Sequence, residues 1–228
     1  MDGRADVMDG AGVRVDLAAI GTAQNVILVE GGSDKAAVEV LARRRGQALA
    51  DHGIQVVAMG GATNIGRFLA LLGPRGLNAR LAGLCDAGEE AHVRAALERS
   101  EVGSATSRSE LEALGFYVCT VDLEDELIRA AGVAAVEQTI EAAGELRSFR
   151  IFQRQPAQRG RCTAGQLRRF MGTRSGRKGQ YASLLATALD LDLVPRPLDR
   201  VLADQFQPVE ASRGTRANDV SCAPRSRG

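Results

Sequence analysis

The chain has 228 residues, of which 45% are hydrophobic and 25% are charged. This balance is ordinary for a soluble globular protein and excludes a wholly disordered chain. No apolar run approaches the roughly 18 residues that a membrane span needs, and the first ten residues lack the basic stretch and apolar run of a signal peptide. We therefore expect a cytoplasmic protein with no membrane partner.

The net charge of +1 conceals a division between two parts of the chain. Residues 1–144 hold 13 basic and 21 acidic residues, whereas residues 145–228 hold 16 basic and 7 acidic residues. No Asp or Glu occurs from Arg147 to Leu189. A block of one sign predicts an acidic partner, with nucleic acid as the default. The alternative is a basic face that docks on the acidic part of the same chain.

Short apolar runs alternate with helical patterns from residue 24 to residue 132. The runs predict four buried strands, at Val26–Val29, Ile54–Met59, Arg80–Cys85 and Phe116–Val121. Ser33 is the expected cap of the first helix, further helices are expected at 64–72, 89–99 and 123–131, and residues 100–109 are expected to form a polar loop. Strands that alternate with helices predict an α/β fold with a mostly parallel four-stranded sheet.

The character of the chain changes beyond Gly132, where only helical patterns remain. These patterns predict helices at 133–143, 146–153, 166–171, 179–189 and 196–203. We therefore expect four segments: a flexible tail at 1–23 with a short edge segment at 13–17, an α/β domain at 24–132, a basic helical region at 133–206 and a disordered tail at 207–228.

Acidic residues follow three of the four predicted strands. Glu30 ends the first strand and Asp34 follows it, Asp86 ends the third, and Asp122 and Glu124 follow the fourth. Functional residues of parallel α/β sheets collect at the carboxyl ends of the strands, and clustered carboxylates without a cation repel one another strongly. A hard divalent cation, Mg²⁺ or Mn²⁺, is the expected partner of this cluster.

Acids at the start of a helix also have a simpler interpretation. Glu89, Glu90, Asp125 and Glu126 stand where a carboxylate favourably meets the helix dipole. That interpretation fits Glu30 and Asp86 less well, because both stand directly at a strand end.

Three segments of the chain resemble the TOPRIM domain. More narrowly, they resemble the TOPRIM domain of the OLD (overcoming lysogenization defect) family of nucleases. They are residues 26–34 (VILVEGGSD), 85–90 (CDAGEE) and 122–127 (DLEDEL), and residues 59–66 (MGGATNIG) and 152–156 (FQRQP) support the narrower resemblance. The similarity extends from about residue 25 to about residue 202. It implies a Rossmann-like TOPRIM fold and a metal-dependent nuclease that cuts or nicks DNA.

The resemblance implies a role for individual residues. The family glutamate falls on Glu30, and the first aspartate of its Asp-x-Asp pair falls on Asp86. The second aspartate is replaced by Gly88, so that Glu89 or Glu90 would take its place. The implied metal ligands are Glu30, Asp34, Asp86, Asp122 and Glu124. The family's lysine falls on Lys178, which joins Glu30 and Asp86 as the implied catalytic residues.

The expected contacts with DNA lie in the basic stretch, at Arg154, Arg168, Arg169, Arg174 and Arg177. The larger OLD proteins carry an ATPase domain before the TOPRIM part, whereas this chain is expected to be a stand-alone TOPRIM protein. It would work alone, as an oligomer, or with a separate ATPase subunit.

Two other functions remain open from the sequence. The first is a catalytically inactive TOPRIM module that binds nucleic acid or a partner ATPase, which Gly88 in place of the second aspartate favours. The second is a phosphotransfer receiver, since that fold also clusters acids at strand ends. It is disfavoured because Asp86 would have to accept the phosphoryl group without the usual preceding acid pair.

Overall fold

The computed structural model describes residues 7–8, 14–15 and 24–206. Val7–Met8 and Arg14–Val15 form a two-stranded antiparallel ladder, so the expected edge segment at 13–17 contains a short paired strand. The other residues of the expected terminal tails, including 207–228, lie outside the described part of the chain. None of the helices described has the length and apolar character that a bilayer span requires.

A four-stranded, all-parallel sheet forms the centre of the protein, which confirms the predicted α/β fold class. Its strands in chain order are β1 (Asn25–Val29), β2 (Ile54–Ala58), β3 (Arg80–Cys85) and β4 (Phe116–Val118). Their order across the sheet is β2-β1-β3-β4. In the register, Val29 lies opposite Ala58 of β2, and Leu28 lies opposite Gly83 of β3.

Ten α-helices surround this sheet within the described residues. In chain order they are α1 (Gly32–Arg44), α2 (Ile65–Leu72), α3 (Glu90–Arg99), α4 (Arg108–Ala113), α5 (Leu123–Ala131), α6 (Val133–Ala142), α7 (Leu146–Gln153), α8 (Thr163–Met171), α9 (Arg177–Ala188) and α10 (Arg196–Phe206). Five short 3₁₀ turns join some of them, at Leu49–His52, Ala62–Asn64, Ala87–Glu89, Pro156–Gln158 and Leu191–Leu193.

The two faces of the sheet bury two separate hydrophobic clusters. Ile27 and Val29 of β1 belong to the larger cluster, together with side chains of α1 and α5–α10. Val26 and Leu28 face the other cluster, with α2, α3 and α4. Successive side chains of a strand point to opposite faces, so β1 is apolar throughout because both of its faces are covered.

Gly83 allows β3 and β4 to approach each other closely. A Cβ atom at this position would lie 2.8 Å from the Phe116 ring and 2.9 Å from the Leu28 carbonyl oxygen. A side chain at position 83 would therefore force apart the strands whose ends carry the acidic residues.

The helices beyond residue 132 share one hydrophobic core with the sheet. Helix α9 packs along α1, and Arg44 Nη1 donates hydrogen bonds to the carbonyl oxygens of Ala186 (2.9 Å) and Leu189 (2.5 Å). Tyr117 of β4 donates a hydrogen bond to Asp204 of α10. The division into segments at residue 132 stays a prediction, but both parts contribute to the same cluster.

Three local expectations were wrong. The first helix begins at Gly32 with Gly31 as its N-cap, so Ser33 lies in the first turn and does not cap it. Strand β4 ends at Val118 and not at Val121. The expected loop at 100–109 ends in a helix that begins at Arg108.

Each of the last two differences has a local cause. The N–H of Thr120 donates to Glu126 Oε1 (2.6 Å), which takes that residue out of the strand ladder. Ser107 Oγ accepts from the N–H of Glu110 (3.2 Å) and caps α4. A serine three residues before a glutamate is a helix-start pattern that the sequence already contained.

Candidate active site

The carboxyl edge of the sheet brings the ends of β1 and β3 together. These two strands are hydrogen-bonded neighbours, and Glu30 and Asp86 directly follow them. Adjacent strands lie about 4.8 Å apart. Asp122 lies beyond the end of β4, which is the next strand along.

Asp34 lies in the first turn of α1 and faces this edge. Its Oδ2 accepts a hydrogen bond from the N–H of Gly31 (2.8 Å). Burial raises the pKa of Asp34 to about 6; the Gly31 hydrogen bond opposes this shift, and the charges of Glu124 and Glu30 add to it. Asp34 is thus coupled to acids that follow two different strands.

The pKa of Asp86 is raised further than that of Asp34. Burial is the largest cause, and the charges of Glu30, Asp122, Asp34 and Glu124 together raise its pKa further, to about 7. All five predicted metal ligands therefore lie close enough to influence one another electrostatically. Repulsion among neighbouring carboxylates is therefore a physical property of this edge.

Asp122 is compensated by a cation from another helix. It is buried and caps α5, since its Oδ1 accepts from the N–H of Asp125 (2.9 Å). Its Oδ2 accepts from Arg168 of α8, with Nε at 2.6 Å and Nη2 at 2.5 Å. Both carboxylate oxygens of Asp122 are thus engaged.

Glu124 and Lys178 form the second charge pair of the edge. Lys178 Nζ lies 3.1 Å from Glu124 Oε2. Glu124 is only 3% exposed, and its Oε1 has no hydrogen-bond partner among the described residues. Desolvation lowers the pKa of Lys178, but the carboxylates of Glu124, Asp122 and Asp34 outweigh it, and the net shift is upward. Lys178 therefore stays protonated at neutral pH.

Other acids near this edge have structural partners. Glu126 accepts from the N–H of Thr120 (2.6 Å) and pairs with Arg129 (2.5 Å). Glu90 binds both Arg94 and Arg108, the latter at 2.9 Å.

The partners of Glu90 bear on which glutamate would take the place of the second aspartate that the resemblance implies. Glu89 is half-buried and makes no side-chain hydrogen bond or ion pair with the described residues. Of the two glutamates that follow Gly88, Glu89 is therefore the one whose carboxylate is available to a ligand.

The carboxylates do not form a ready-made metal cage. Within residues 24–206, no three His, Cys, Asp or Glu side chains converge closely enough to hold a metal ion. The donor set nevertheless fits a hard cation, because it consists of oxygens. A cation would relieve the repulsion that raises the pKa of Asp86, and Glu124 Oε1 is a buried oxygen that lacks a partner.

The five arginines expected to contact DNA fall into different environments. Arg154 and Arg169 are exposed and make no side-chain hydrogen bond or ion pair with the described residues. Arg174 is 70% exposed and lies 3.5 Å from Glu145. Arg168 is partly exposed but bound to Asp122.

The structure corrects the expectation for Arg177. This side chain is only 5% exposed. Its guanidinium donates to Glu145 (2.8 Å) and Thr173 (2.6 Å) and lies 4.1 Å from the centre of the Phe170 ring. Arg177 therefore holds the start of α9 in place and presents no surface to DNA.

The pairing of Arg168 with Asp122 was missed by sequence reasoning. The two residues are 46 positions apart, and no short motif connects them. Only the acid-free stretch, which predicts that basic side chains seek acids outside it, indicated such a contact.

The parallel sheet and its acidic carboxyl edge are the features that the resemblance to the TOPRIM domain predicts. The family model of the OLD-like TOPRIM domain (overcoming lysogenization defect protein-like) matches residues 22–87. The solved C-terminal region of the OLD protein of Xanthomonas campestris pv. campestris is similar to this chain, with 26% sequence identity and a TM-score of 0.63. That similarity covers 81% of this chain and 93% of the other.

A second solved structure supports the fold alone. The C-terminal region of the Burkholderia pseudomallei OLD protein has 23% identity and a TM-score of 0.61, and the match covers 80% of this chain and 97% of that chain. No curated protein matches the sequence. The family model and the structural similarities confirm the predicted resemblance to the TOPRIM domain of OLD proteins.

Proposed function

We propose that this protein hydrolyses DNA phosphodiester bonds with a divalent metal ion at the carboxyl edge of its sheet. An OLD-like TOPRIM domain implies a nuclease-type family. The observation that carries the proposal is the clustering of five carboxylates at one edge: burial and the charges of Glu30, Asp122, Asp34 and Glu124 together raise the pKa of Asp86 to about 7. Such a cluster is costly to maintain unless a cation compensates it.

These five carboxylates are the proposed metal ligands, and Glu89 is a sixth candidate because its side chain has no partner among the described residues. Mg²⁺ and Mn²⁺ are the proposed ions, since both prefer oxygen ligands. A bound ion of this kind supplies an activated water and stabilises the oxygens of an in-line displacement. Ligation by Oδ2 of Asp122 requires that Arg168 move away from it.

Lys178 has the proposed role of stabilising charge on the scissile phosphate. Its ammonium group lies at the edge beside Glu124 (3.1 Å), and its raised pKa keeps it charged. Its side chain is 53% exposed, so a phosphate can reach it. A compact ammonium acts there as a point charge.

The exposed arginines of the basic stretch have the proposed role of binding the DNA backbone. Arg154 and Arg169 are the strongest candidates, because neither is paired with a carboxylate of the described chain. Arg174 is a weaker candidate, since Glu145 lies 3.5 Å away.

A second candidate function is a TOPRIM module that binds nucleic acid or a partner ATPase without catalysis. Gly88 in place of the second aspartate favours it, as does the lack of a converged metal cage within residues 24–206. The separate ATPase subunit and the cytoplasmic location stay predictions.

Incubation of supercoiled plasmid with the protein tests the two candidates directly. Nicked or linear plasmid with Mg²⁺ or Mn²⁺, and intact plasmid with EDTA, is the expected result. Asp86→Ala should abolish the cleavage, whereas the matched control Glu98→Ala removes an exposed acid of α3 and should cut normally. Plasmid that is bound but never cut, with either metal, would favour the non-catalytic module.

A further inference from the structure

The Arg168–Asp122 pair stands at the point where a metal ligand is proposed. Arg168 Nε and Nη2 lie 2.6 Å and 2.5 Å from the same oxygen of Asp122. The other oxygen of Asp122 is held by the N–H of Asp125 at 2.9 Å. Oδ2 of Asp122 is therefore blocked from a metal ion while Arg168 stays in this position, and Oδ1 keeps only the lone pair that the Asp125 N–H does not use.

The two members of the pair differ in how firmly they are held. The Asp122 side chain is 12% exposed and fixed as the cap of α5, whereas the Arg168 side chain is 43% exposed. Asp122 is the only carboxylate among the described residues to which Arg168 is hydrogen-bonded. If a competing cation arrives, the guanidinium is the partner that can move.

We propose that Arg168 is the resident counter-ion of Asp122 in the metal-free protein, and that a divalent cation displaces it toward the phosphate backbone of bound DNA. This inference rests on the proposed function, in which Asp122 is a metal ligand. A divalent cation carries twice the charge of a guanidinium and repels it, so the two do not share one carboxylate oxygen favourably.

A released guanidinium is well suited to a phosphate. Its planar set of N–H donors matches two phosphate oxygens as well as it matches a carboxylate. Arg168 also lies next to Arg169, which is exposed and unpaired within the described residues. Metal binding at the acidic edge would thereby add one cation to the proposed DNA surface.

Calorimetric titration of the full chain with Mn²⁺, without DNA, provides the first test. Arg168→Ala removes the competitor, so we expect it to bind Mn²⁺ about twofold to fivefold more tightly than the parent, the range that corresponds to a partly exposed ion pair. Arg168→Lys keeps the charge but loses the paired N–H donors, and should fall between the two. Arg169→Ala removes the same charge from the same helix without touching Asp122, and should match the parent.

DNA binding provides the second test, through its salt dependence. Each phosphate contact contributes about −0.9 to the slope of log K against log salt on duplex DNA. The slope of the parent, measured by fluorescence anisotropy, should steepen by about 0.9 when EDTA is replaced by Ca²⁺, which takes similar oxygen ligands. A gel confirms that the DNA is intact. Arg168→Ala should show the same slope in both conditions.

The outcomes separate this inference from the function on which it rests. If the parent binds no Mn²⁺, the proposed function fails. If the parent binds Mn²⁺ but Arg168→Ala and Arg168→Lys bind it with the parental affinity, only the displacement of Arg168 is overturned. If Arg169→Ala binds Mn²⁺ as tightly as Arg168→Ala does, the displacement of Arg168 is also overturned, because the loss of any nearby positive charge would then have the same effect.

Discussion

The acidic edge has two sides that differ in how their charge is balanced. On the β1–β3 side, Glu30, Asp34 and Asp86 have no basic side chain as a hydrogen-bonding or ion-pair partner among the described residues. On the α5 side, Asp122 is bound by Arg168 and Glu124 by Lys178. On the β1–β3 side, burial and neighbouring acids raise the pKa of Asp34 to about 6 and that of Asp86 to about 7.

This contrast indicates on which side of the edge a bound metal ion relieves the most electrostatic repulsion. A cation on the β1–β3 side relieves repulsion that no basic side chain of the described residues neutralises by direct contact, since Lys178 and the Gly31 N–H only partly offset it at Asp34. On the α5 side it must compete with protein cations that arrive from α8 and α9. The helical region thus compensates one side of the edge directly and leaves the other without a paired cation among the described residues.

The largest expected effect concerns Asp86 on the uncompensated side. Asp86→Ala removes a proposed ligand, so we expect the affinity for Mn²⁺ to fall by roughly a hundredfold or more, beyond the 10–100-fold typical of an outer-shell partner. Calorimetry measures the affinity, with Glu98→Ala as the control. An unchanged affinity in Asp86→Ala would refute the assignment of the metal to this side.

Lys178 lies on the compensated side, and its replacement is expected to slow cleavage without weakening metal binding. Lys178→Ala should bind DNA nearly normally, and metal at least as tightly as the parent because a competitor for Glu124 is removed, yet cut at least tenfold more slowly. The loss of one preorganised charge typically costs about 10²–10³ in rate. Lys178→Arg should restore part of the rate. Single-turnover cleavage of a labelled duplex measures it, and a parental rate in Lys178→Ala would make this residue an ordinary surface lysine.

The raised pKa of Asp86 also predicts a pH-dependent stability in EDTA. Its folded-state pKa of about 7 exceeds the ordinary 3.8, so the folded state binds the proton more tightly than the unfolded state. The contribution of Asp86 therefore destabilises the fold increasingly as pH rises from about 4 to about 7, and is constant above that.

Asp86→Asn removes this penalty, because the amide is never ionised. We expect a gain of about 1–2 kcal/mol at pH 8, after allowance for the partial exposure of Asp86, and no gain at pH 3. Thermal unfolding in EDTA measures the change as a rise in Tm of roughly 2–8 °C. The exposed acid Asp51 supplies the control Asp51→Asn, and a gain at pH 8 no larger than that of the control would count against repulsion at Asp86.

The smallest expected effect concerns Arg154 and Arg169. Neither has a carboxylate partner among the described residues, unlike Arg168, which pairs with Asp122. The double variant Arg154→Ala/Arg169→Ala should flatten the slope of log K against log salt by about 1.8, or about 0.9 per contact, and weaken all DNA sequences alike. Fluorescence anisotropy at several salt concentrations measures the slope. An unchanged slope would mean that the basic stretch serves mainly to bind acids of its own chain.

The sheet was predictable because its signals are local. The run Val26–Val29 is buried on both faces in the structure, as an apolar strand of a parallel sheet should be. The end of β4 was misplaced because Glu126 takes the N–H of Thr120 (2.6 Å), and apolar patterning does not report such a contact. The capping pattern of Ser107 and Glu110 was present in the sequence but was assigned to a loop.

The positions of the acids at the sheet edge were predictable for the same reason. Residues that directly follow parallel strands must meet at the carboxyl edge, so Glu30 and Asp86 could be placed there from the pattern alone. The buried role of Arg177 could not be placed, because its partners Glu145 and Phe170 converge on it only when α7, α8 and α9 pack together.

Short-range patterning thus determines which residues build the sheet and which acids stand at its edge. Tertiary packing alone decides which of those acids a cation of the chain compensates. Arg168 and Asp122 are 46 residues apart, and Lys178 and Glu124 are 54 apart. These pairs form because α8 and α9 pack against α5, and the free energy of that packing comes from burying apolar side chains, which specifies no charge partner.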